Sequence, residues 1–327
     1  MFSSPEAQFA IEAVREASLL ARCIQREMVS GSLTKDDRSP VTVADFAVQA
    51  LVSRRLAESF PTAALVGEEQ SDALQLEEGV AILDQITNFV RTAIPDATPE
   101  EVCGLIDRGS GDPPSTFWTL DPIDGTKGFL RREQYAVALG LIEDGQVTLG
   151  VLGCPELADA RRPDSTGSGT LVIAIRGQGT WHRSLDGAEW RRLHASGRSS
   201  AAEAHILRSV EKSHTNVDEI GQLAANLGVT SAPVGMDSQA KYAVVAAGEG
   251  DVLLRLISKS RPDYRERIWD QAAGSIVVEE AGGRITDLDG KPLDFSHGRT
   301  LAKNRGIVAT NGHLHDAILT GLRAIGA

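Results

Sequence analysis

The sequence predicts a mixed α/β protein built as two layered units, and three observations carry that reading. Apolar residues recur at helical spacing from Pro5 to Val29 (Phe9, Ala10, Ala13, Val14, Ala17, Leu20, Ala21, Ile24, Met28). Two apolar β segments, Tyr135 to Ile142 and Gln146 to Leu152, flank Glu143-Asp144-Gly145, and Asp-Gly between such runs signals a hairpin. The second half then alternates short strands with helices. With 327 residues the chain is long for one core and short for three, so two units are the natural expectation.

The elements follow in order. The first helix ends near Gly31, and the polar run Leu33 to Pro40 reads as an exposed loop. Val41-Thr-Val-Ala-Asp45 leads into a second helix, from about Asp45 to Ser59. Ala63 to Gly67 is a short strand ending on Glu68-Glu69, and residues 80–93 and 99–107 are helical. Residues 155–169 are rich in Pro, Gly, Ser and Asp, which places a boundary between units 1–157 and 158–327. Beyond it come strands at Thr170–Ile175, Thr180–Trp181 and Ile206–Ser209 and a helix near 216–227. A helix from about Ser238 to Ala247, capped by Gly248, precedes a strand at Asp251–Leu256. A helix from Trp269 to Gly283 with Asp270 in its first turn, a strand at Ile307–Thr310 and a final helix complete the pattern.

Composition narrows the function classes. Lys plus Arg is 33 against Asp plus Glu 45, a net charge of −12, which argues against nucleic acid or an anionic membrane as partner. No apolar run approaches the roughly 18–20 residues that span a bilayer. The N-terminal residues show no basic and apolar leader, and Cys23, Cys103 and Cys154 form no CxxC pair, so reduced thiols and a cytoplasmic location are expected.

The most informative stretch is Trp118-Thr-Leu-Asp-Pro-Ile-Asp-Gly-Thr-Lys-Gly-Phe-Leu130. A buried strand delivers Asp121 and Asp124 into a tight turn, where hard carboxylate oxygens suit Mg²⁺. Gly125 and Thr126 follow with backbone N–H groups able to hold phosphate oxygens. Cation ligands beside an anion cradle are the minimum for metal-assisted phosphate chemistry. Further acidic groups stand at segment ends: Asp45, Glu68-Glu69 and Asp270. Taken singly, Asp45 and Asp270 read as well as helix N-caps, and Glu68 and Glu69 as solvated surface.

Together these residues carry a family resemblance. Val41-Thr-Val-Ala-Asp45, Val66-Gly-Glu-Glu69, Leu120-Asp-Pro-Ile-Asp-Gly-Thr126, Trp269-Asp270 and Glu279-Glu-Ala-Gly-Gly283 resemble the inositol monophosphatase superfamily of lithium-sensitive, Mg²⁺-dependent phosphatases, in the family's order. Ser39 to Leu51, Asp124-Gly-Thr-Lys-Gly-Phe-Leu-Arg131 and Tyr135 through Pro155 are similar to its 3'(2'),5'-bisphosphate nucleotidase branch.

The resemblance implies a layered αβαβα sandwich of the sugar-phosphatase type. It also implies Mg²⁺-dependent hydrolysis of the 3'-phosphate of adenosine 3',5'-bisphosphate, with 3'-phosphoadenylyl sulfate as a second substrate. Glu68, Asp121, Asp124, Asp270 and the Ile123 carbonyl are implied as ligands of two or three Mg²⁺, with Glu69 in support. Asp45 and Thr126 are implied to orient and deprotonate the attacking water, and the N–H groups of Gly125 and Thr126 to hold the phosphate. His214, Ser238, Lys241 and Arg255 are implied to contact the nucleotide and its second phosphate. Unaided, His214 reads as a loop residue and Lys241 as a solvated helix position. An inositol phosphate phosphatase of the same fold, or a phosphonucleotide sensor without turnover, are the rival readings.

Overall fold

A computed structural model describes residues 2–29, 39–210, 217–258 and 261–327. The chain opens with α1 (Pro5–Met28), whose first turn is capped by the Ser4 hydroxyl accepting from the Ala7 N–H at 3.2 Å. Next come α2 (Ser39–Ser59), β1 (Leu65–Gly67), α3 (Val80–Val90) and α4 (Pro99–Asp107). β2 (Thr116–Asp124), the short α5 (Thr126–Arg131), β3 (Ala136–Glu143) and β4 (Gln146–Cys154) follow. At the β3–β4 turn Asp144 and Gly145 both take positive φ, +49° and +78°, as a two-residue hairpin requires. The small hairpin β5 (Leu157–Ala158) and β6 (Arg162–Pro163) precedes β7 (Thr170–Ile175), β8 (Gly179–Ser184) and β9 (Arg191–Leu193).

The remainder comprises β10 (Ile206–Arg208), α6 (Val217–Asn226), β11 (Val234–Gly235), α7 (Ala240–Ala246) and β12 (Val252–Arg255). It ends with α8 (Ala272–Glu280), β13 (Arg284–Thr286), β14 (Ile307–Thr310) and α9 (His315–Ile325). Among the described residues no helix is long and apolar enough to cross a membrane.

The strands form a seven-stranded sheet, β1-β2-β3-β4-β7-β8-β9, and a five-stranded sheet, β11-β10-β12-β14-β13. Side-chain alternation sorts them into three cores. On β7, Leu171 and Ile173 face α1 and α2, while Val172 and Ala174 face α7 and α8. On β12, Leu253 joins that middle core, while Val252 and Leu254 pack with Ile220 of α6 and Ile318 of α9. The result is five layers: α1/α2, the first sheet, α7/α8, the second sheet, and α6/α9. This is the αβαβα sandwich the resemblance implies. Ala272 to Val278 of α8 are all buried because the helix lies between two sheets.

The boundary expected at 157/158 falls inside the first sheet, because β4 and β7 are hydrogen-bonded neighbours across it. The breaker-rich stretch is the β5–β6 hairpin plus a turn in which Asp164 accepts from Thr166 and Gly167, not a linker. Arg22 of α1 pins it by donating to the carbonyls of Pro155 and Ser168. Passage between the sheets occurs at residues 194–205. Of the loop expected at 33–40, Ser39 and Pro40 open α2, and residues 33–38 lie outside the described residues.

His315 ties the second sheet to α9. Its Nε2 meets Thr286 Oγ1 at 2.9 Å and its Nδ1 meets Thr310 Oγ1 at 3.0 Å. Thr286 already donates to the Asp287 carbonyl, so it accepts from Nε2–H, and Thr310 donates to a neutral Nδ1. Burial, then the nearby Arg284, lowers the imidazole pKa to about 4. Its contribution to stability is whole above about pH 6.5 and is lost as pH falls towards about 4, because only the unfolded chain takes up the proton freely. The loss approaches about 3 kcal/mol. Urea midpoints at pH 7 and pH 4.5 check this: the drop should be smaller in His315→Gln than in wild type.

Candidate active site

The first acidic pair owes its placement to a backbone irregularity. Asp121 pairs with Ala138 and Asp124 with Ala136, so three steps along β2 match two along β3. In a regular strand residues three apart point to opposite faces; the bulge returns Asp124 to the side of Asp121. Pro122, which has no N–H to give a ladder, sits within it. Ile123 is buried within the same bulge.

The chain then turns at Gly125, whose φ of +94° suits glycine and whose absent Cβ would stand 2.8 Å from Ser238 Cβ. Gly128 is needed for space, since a Cβ there would lie 2.2 Å from the Gln134 carbonyl. Thr126 is the first residue of α5 and is exposed.

The other acidic groups arrive from three segments. Glu68 and Glu69 follow β1, which runs parallel to β2. Gln49, one turn beyond Asp45 on the same face of α2, fixes the Glu69 backbone: its Nε2 donates to the Glu69 carbonyl at 2.7 Å and its Oε1 accepts the Glu69 N–H at 3.1 Å. Asp45 lies in the second turn of α2, buried, and is not the helix cap that one reading of the sequence allowed. Asp270 stands two residues before α8 rather than in its first turn.

Electrostatics shows that these groups meet. Burial, then Glu69 and Glu68, pushes Asp45 well above the ordinary carboxylate range. Burial followed by Glu68, Asp124, Asp270 and Asp45 does the same to Asp121. Glu68, though its own side chain is exposed, is raised to about 8 by desolvation and by Asp270, Glu69 and Asp124. Asp270 is raised to about 7 by burial, although Arg255 pulls the other way. Asp124 is raised by burial and partly restored by Lys241 and Arg255. Burial and like charge together raise the proton affinity of each of these carboxyl groups.

The cationic groups differ from expectation. Lys241 is buried, and its ammonium donates to the carbonyls of Met236 at 3.0 Å and Ser238 at 2.8 Å instead of facing an anion with the helix start. The helix itself begins at Ala240, not Ser238. Burial lowers the Lys241 pKa to about 8 despite the neighbouring Asp124. Ser238 is buried with a left-handed φ of +64°, packed on Gly125. Arg255 is held by Glu266 at 2.9 Å and Asp270 at 3.8 Å, and it also lines the cleft. His214 lies outside the described residues. Among the described residues no hydrogen bond joins Asp45 to Thr126.

A cavity of about 170 Å³ opens beside the acids, lined by Asp124, Arg255, Arg261, Tyr264, Glu266 and Asp270. Two supporting residues escape sequence reasoning. Arg299 donates to the carbonyls of Gly67 and Gly109 and lies 5.0 Å over the Trp269 ring, joining the segments that carry Glu68 and Asp270. Gln239 touches both Asp124 and Trp269. A lone arginine and a neutral amide give no motif signal.

Five layers closing on an acid-lined cleft define the class. The model of the inositol monophosphatase family matches residues 3–327, and the chain belongs to that family. Among curated relatives it is 40% identical over 340 residues to a 3'(2'),5'-bisphosphate nucleotidase of Schizosaccharomyces pombe, covering 98% of this chain and 95% of that protein. It is 42% identical over 331 residues to a 3'(2'),5'-bisphosphate nucleotidase of Oryza sativa, covering 95% and 92%. Among solved structures, the inositol monophosphatase from Anabaena superposes with a TM-score of 0.62 at 21% identity, over 98% of this chain and 97% of that one. The IMPase of Thermotoga maritima gives 0.65, also at 21% identity, over 98% of both chains. These two likenesses concern the fold.

Proposed function

We propose that this protein is a Mg²⁺-dependent 3'(2'),5'-bisphosphate nucleotidase that hydrolyses the 3'-phosphate of adenosine 3',5'-bisphosphate to AMP and phosphate, and that it also accepts 3'-phosphoadenylyl sulfate. The observation that carries the reading is the gathering of Asp45, Glu68, Asp121, Asp124 and Asp270 from four segments into one cleft, in a chain similar to nucleotidases over nearly its whole length.

The donor set fits a hard divalent cation. It is all oxygen, burial and mutual repulsion raise the pKa of its carboxyl groups, and Asp121 Oδ1 is buried with no hydrogen-bond partner. Among the described residues no three such side chains surround one point. Glu68, Asp121, Asp124, Asp270 and the Ile123 carbonyl would hold two or three Mg²⁺, with Glu69 in support. Mg²⁺ supplies charge neutralisation at the phosphate and a lowered pKa for water.

The chain's own part is positioning and proton transfer. Asp45 and Thr126 orient the attacking water, and Asp45 takes its proton. Backbone N–H groups at Gly125 and Thr126, which the short helix leaves without intrahelical partners, hold phosphate oxygens. Arg255, from the cleft wall, and His214 contact the nucleotide's second phosphate, while Ser238 and Lys241 shape the turn against which it rests. The three free thiols suit a reducing, cytoplasmic setting.

Phosphate release from adenosine 3',5'-bisphosphate, 3'-phosphoadenylyl sulfate and inositol 1-phosphate, in Mg²⁺ with and without Li⁺, tests the reading. Fast, Li⁺-inhibited release from the adenosine bisphosphate is expected. Preference for inositol 1-phosphate would transfer the assignment to the inositol phosphatases, and binding without release would make the protein a sensor.

A further inference from the structure

Gln239 lies between β11 and α7, and only 1% of its surface is exposed. Its backbone carbonyl serves its own helix, accepting from the Tyr242 N–H, and its other hydrogen bonds reach the acid-bearing segments. The backbone N–H donates to Asp124 Oδ2 at 2.6 Å. The side-chain Nε2 donates to the carbonyl of Trp269, the residue before Asp270, at 2.9 Å. The side-chain Oε1 accepts from the N–H of Gly274 at 2.9 Å. Gly274 is the third residue of α8, so its N–H is one of those a helix start leaves unsatisfied. Gln239 therefore caps α8 from a distance and holds the Trp269 turn at the same time. The preceding Ser238, in its left-handed conformation, directs the Gln239 N–H at Asp124.

We infer that Gln239 is a positioning residue that sets the placement of Asp270 relative to Asp124, and through it the affinity of the cleft for its divalent cation. This rests on the phosphatase reading of the cluster. The main-chain bond to Asp124 survives any side-chain substitution, but the Gln239 side chain also hydrogen-bonds Asp124, so a change at Gln239 frees the Trp269–Asp270 turn and loosens Asp124 to a lesser degree. Arg299 and Arg267 flank the Trp269 ring at 5.0 and 5.6 Å and support the indole, but neither bonds its carbonyl. Only the Gln239 amide does so among the described contacts.

The test compares wild type with Gln239→Met, which keeps the length and loses both polar atoms, and with Gln239→Asn, which keeps the amide but is one methylene short. Mg²⁺ affinity is measured by calorimetry without substrate, alongside kcat and KM for adenosine 3',5'-bisphosphate at saturating Mg²⁺. Loss of an outer partner of a metal ligand costs about 10- to 100-fold in affinity or activity. Mg²⁺ binding weakened to that extent in Gln239→Met, and less in Gln239→Asn, with KM shifted by less than about threefold, supports the inference. Mg²⁺ affinity within about twofold of wild type in a folded variant, with only the thermal midpoint lowered, overturns it. Failure of both variants to fold would also overturn it, by placing Gln239 in the scaffold. A wild type that binds Mg²⁺ but releases no phosphate sinks the nucleotidase reading alone, since the calorimetric comparison still decides the role of Gln239. A wild type that binds no Mg²⁺ sinks both.

Discussion

Asp121→Asn and Asp124→Asn are each expected to lower kcat by about three orders of magnitude or more while leaving the protein folded. An amide occupies the carboxylate's space but cannot supply the charge that holds a divalent cation against a transferring phosphoryl group. The fold has little to lose. The amide oxygen introduced by Asp124→Asn still accepts the Gln239 N–H, and Asp121 has one buried oxygen with no partner to forfeit. Stability should even rise in chelator. Carboxyl groups whose folded pKa lies above the unfolded value contribute stability at low pH and lose it as pH rises through the folded value. For the wild-type cleft that window runs through about 7 at Asp270 and about 8 at Glu68. Thermal midpoints in EDTA should fall from pH 6 to pH 9 in wild type and fall less in Asp121→Asn, where one source of repulsion is gone. Near-normal turnover by either folded variant at saturating Mg²⁺ would refute the ligand assignment.

Asp45→Asn should lower kcat by about 10²–10⁴, the range for a positioned acid–base group, with KM and Mg²⁺ affinity changing far less. Asp45 reaches the cluster from α2, close to Glu69 and Glu68, which suits a group acting on water beside the cation. The orientation of Asp45 comes from its helix, and Gln49, one turn on, fixes Glu69 in front of it. The substitution therefore leaves the neighbouring acids in place. Calorimetry decides: loss of Mg²⁺ binding in Asp45→Asn would move Asp45 into the ligand set.

Much of this architecture is legible because its signals are local. The α1 stripe, the Asp144-Gly145 turn and the acid motifs each announce themselves within a short stretch of chain, and the family resemblance adds the layer order. What escapes depends on distant partners. The breaker-rich stretch at 155–169 mimics a linker, because nothing within it reveals that β4 and β7 pair across it. Asp45 reads as lying near a helix start, although α2 extends back to Ser39. Lys241 reads as solvated on its own residues, or as a phosphate ligand by resemblance. Its fate is set by two backbone carbonyls, Met236 and Ser238, that charge pattern does not disclose. Arg255 reads by resemblance as a phosphate contact, and its pairing with Glu266 and Asp270 follows from a tertiary approach that the sequence does not disclose.

The strand order of the second sheet has a consequence for how the protein comes into being. β14, at Ile307–Thr310, lies between β12 and β13, so the sheet that seats α8 and the Asp270 turn is incomplete until those residues have left the ribosome. By then β1 to β9 have already been made, with Glu68 just beyond β1 and Asp121 and Asp124 on the face of the sheet that α8 covers. In that nascent state the three carboxylates stand in water, where their repulsion is screened within a Debye length of about 8 Å. The burial that raises their proton affinity comes only when α8 and the second sheet dock. Vectorial synthesis thus defers the most unfavourable electrostatic step to the end, after the scaffold that must bear it is in place.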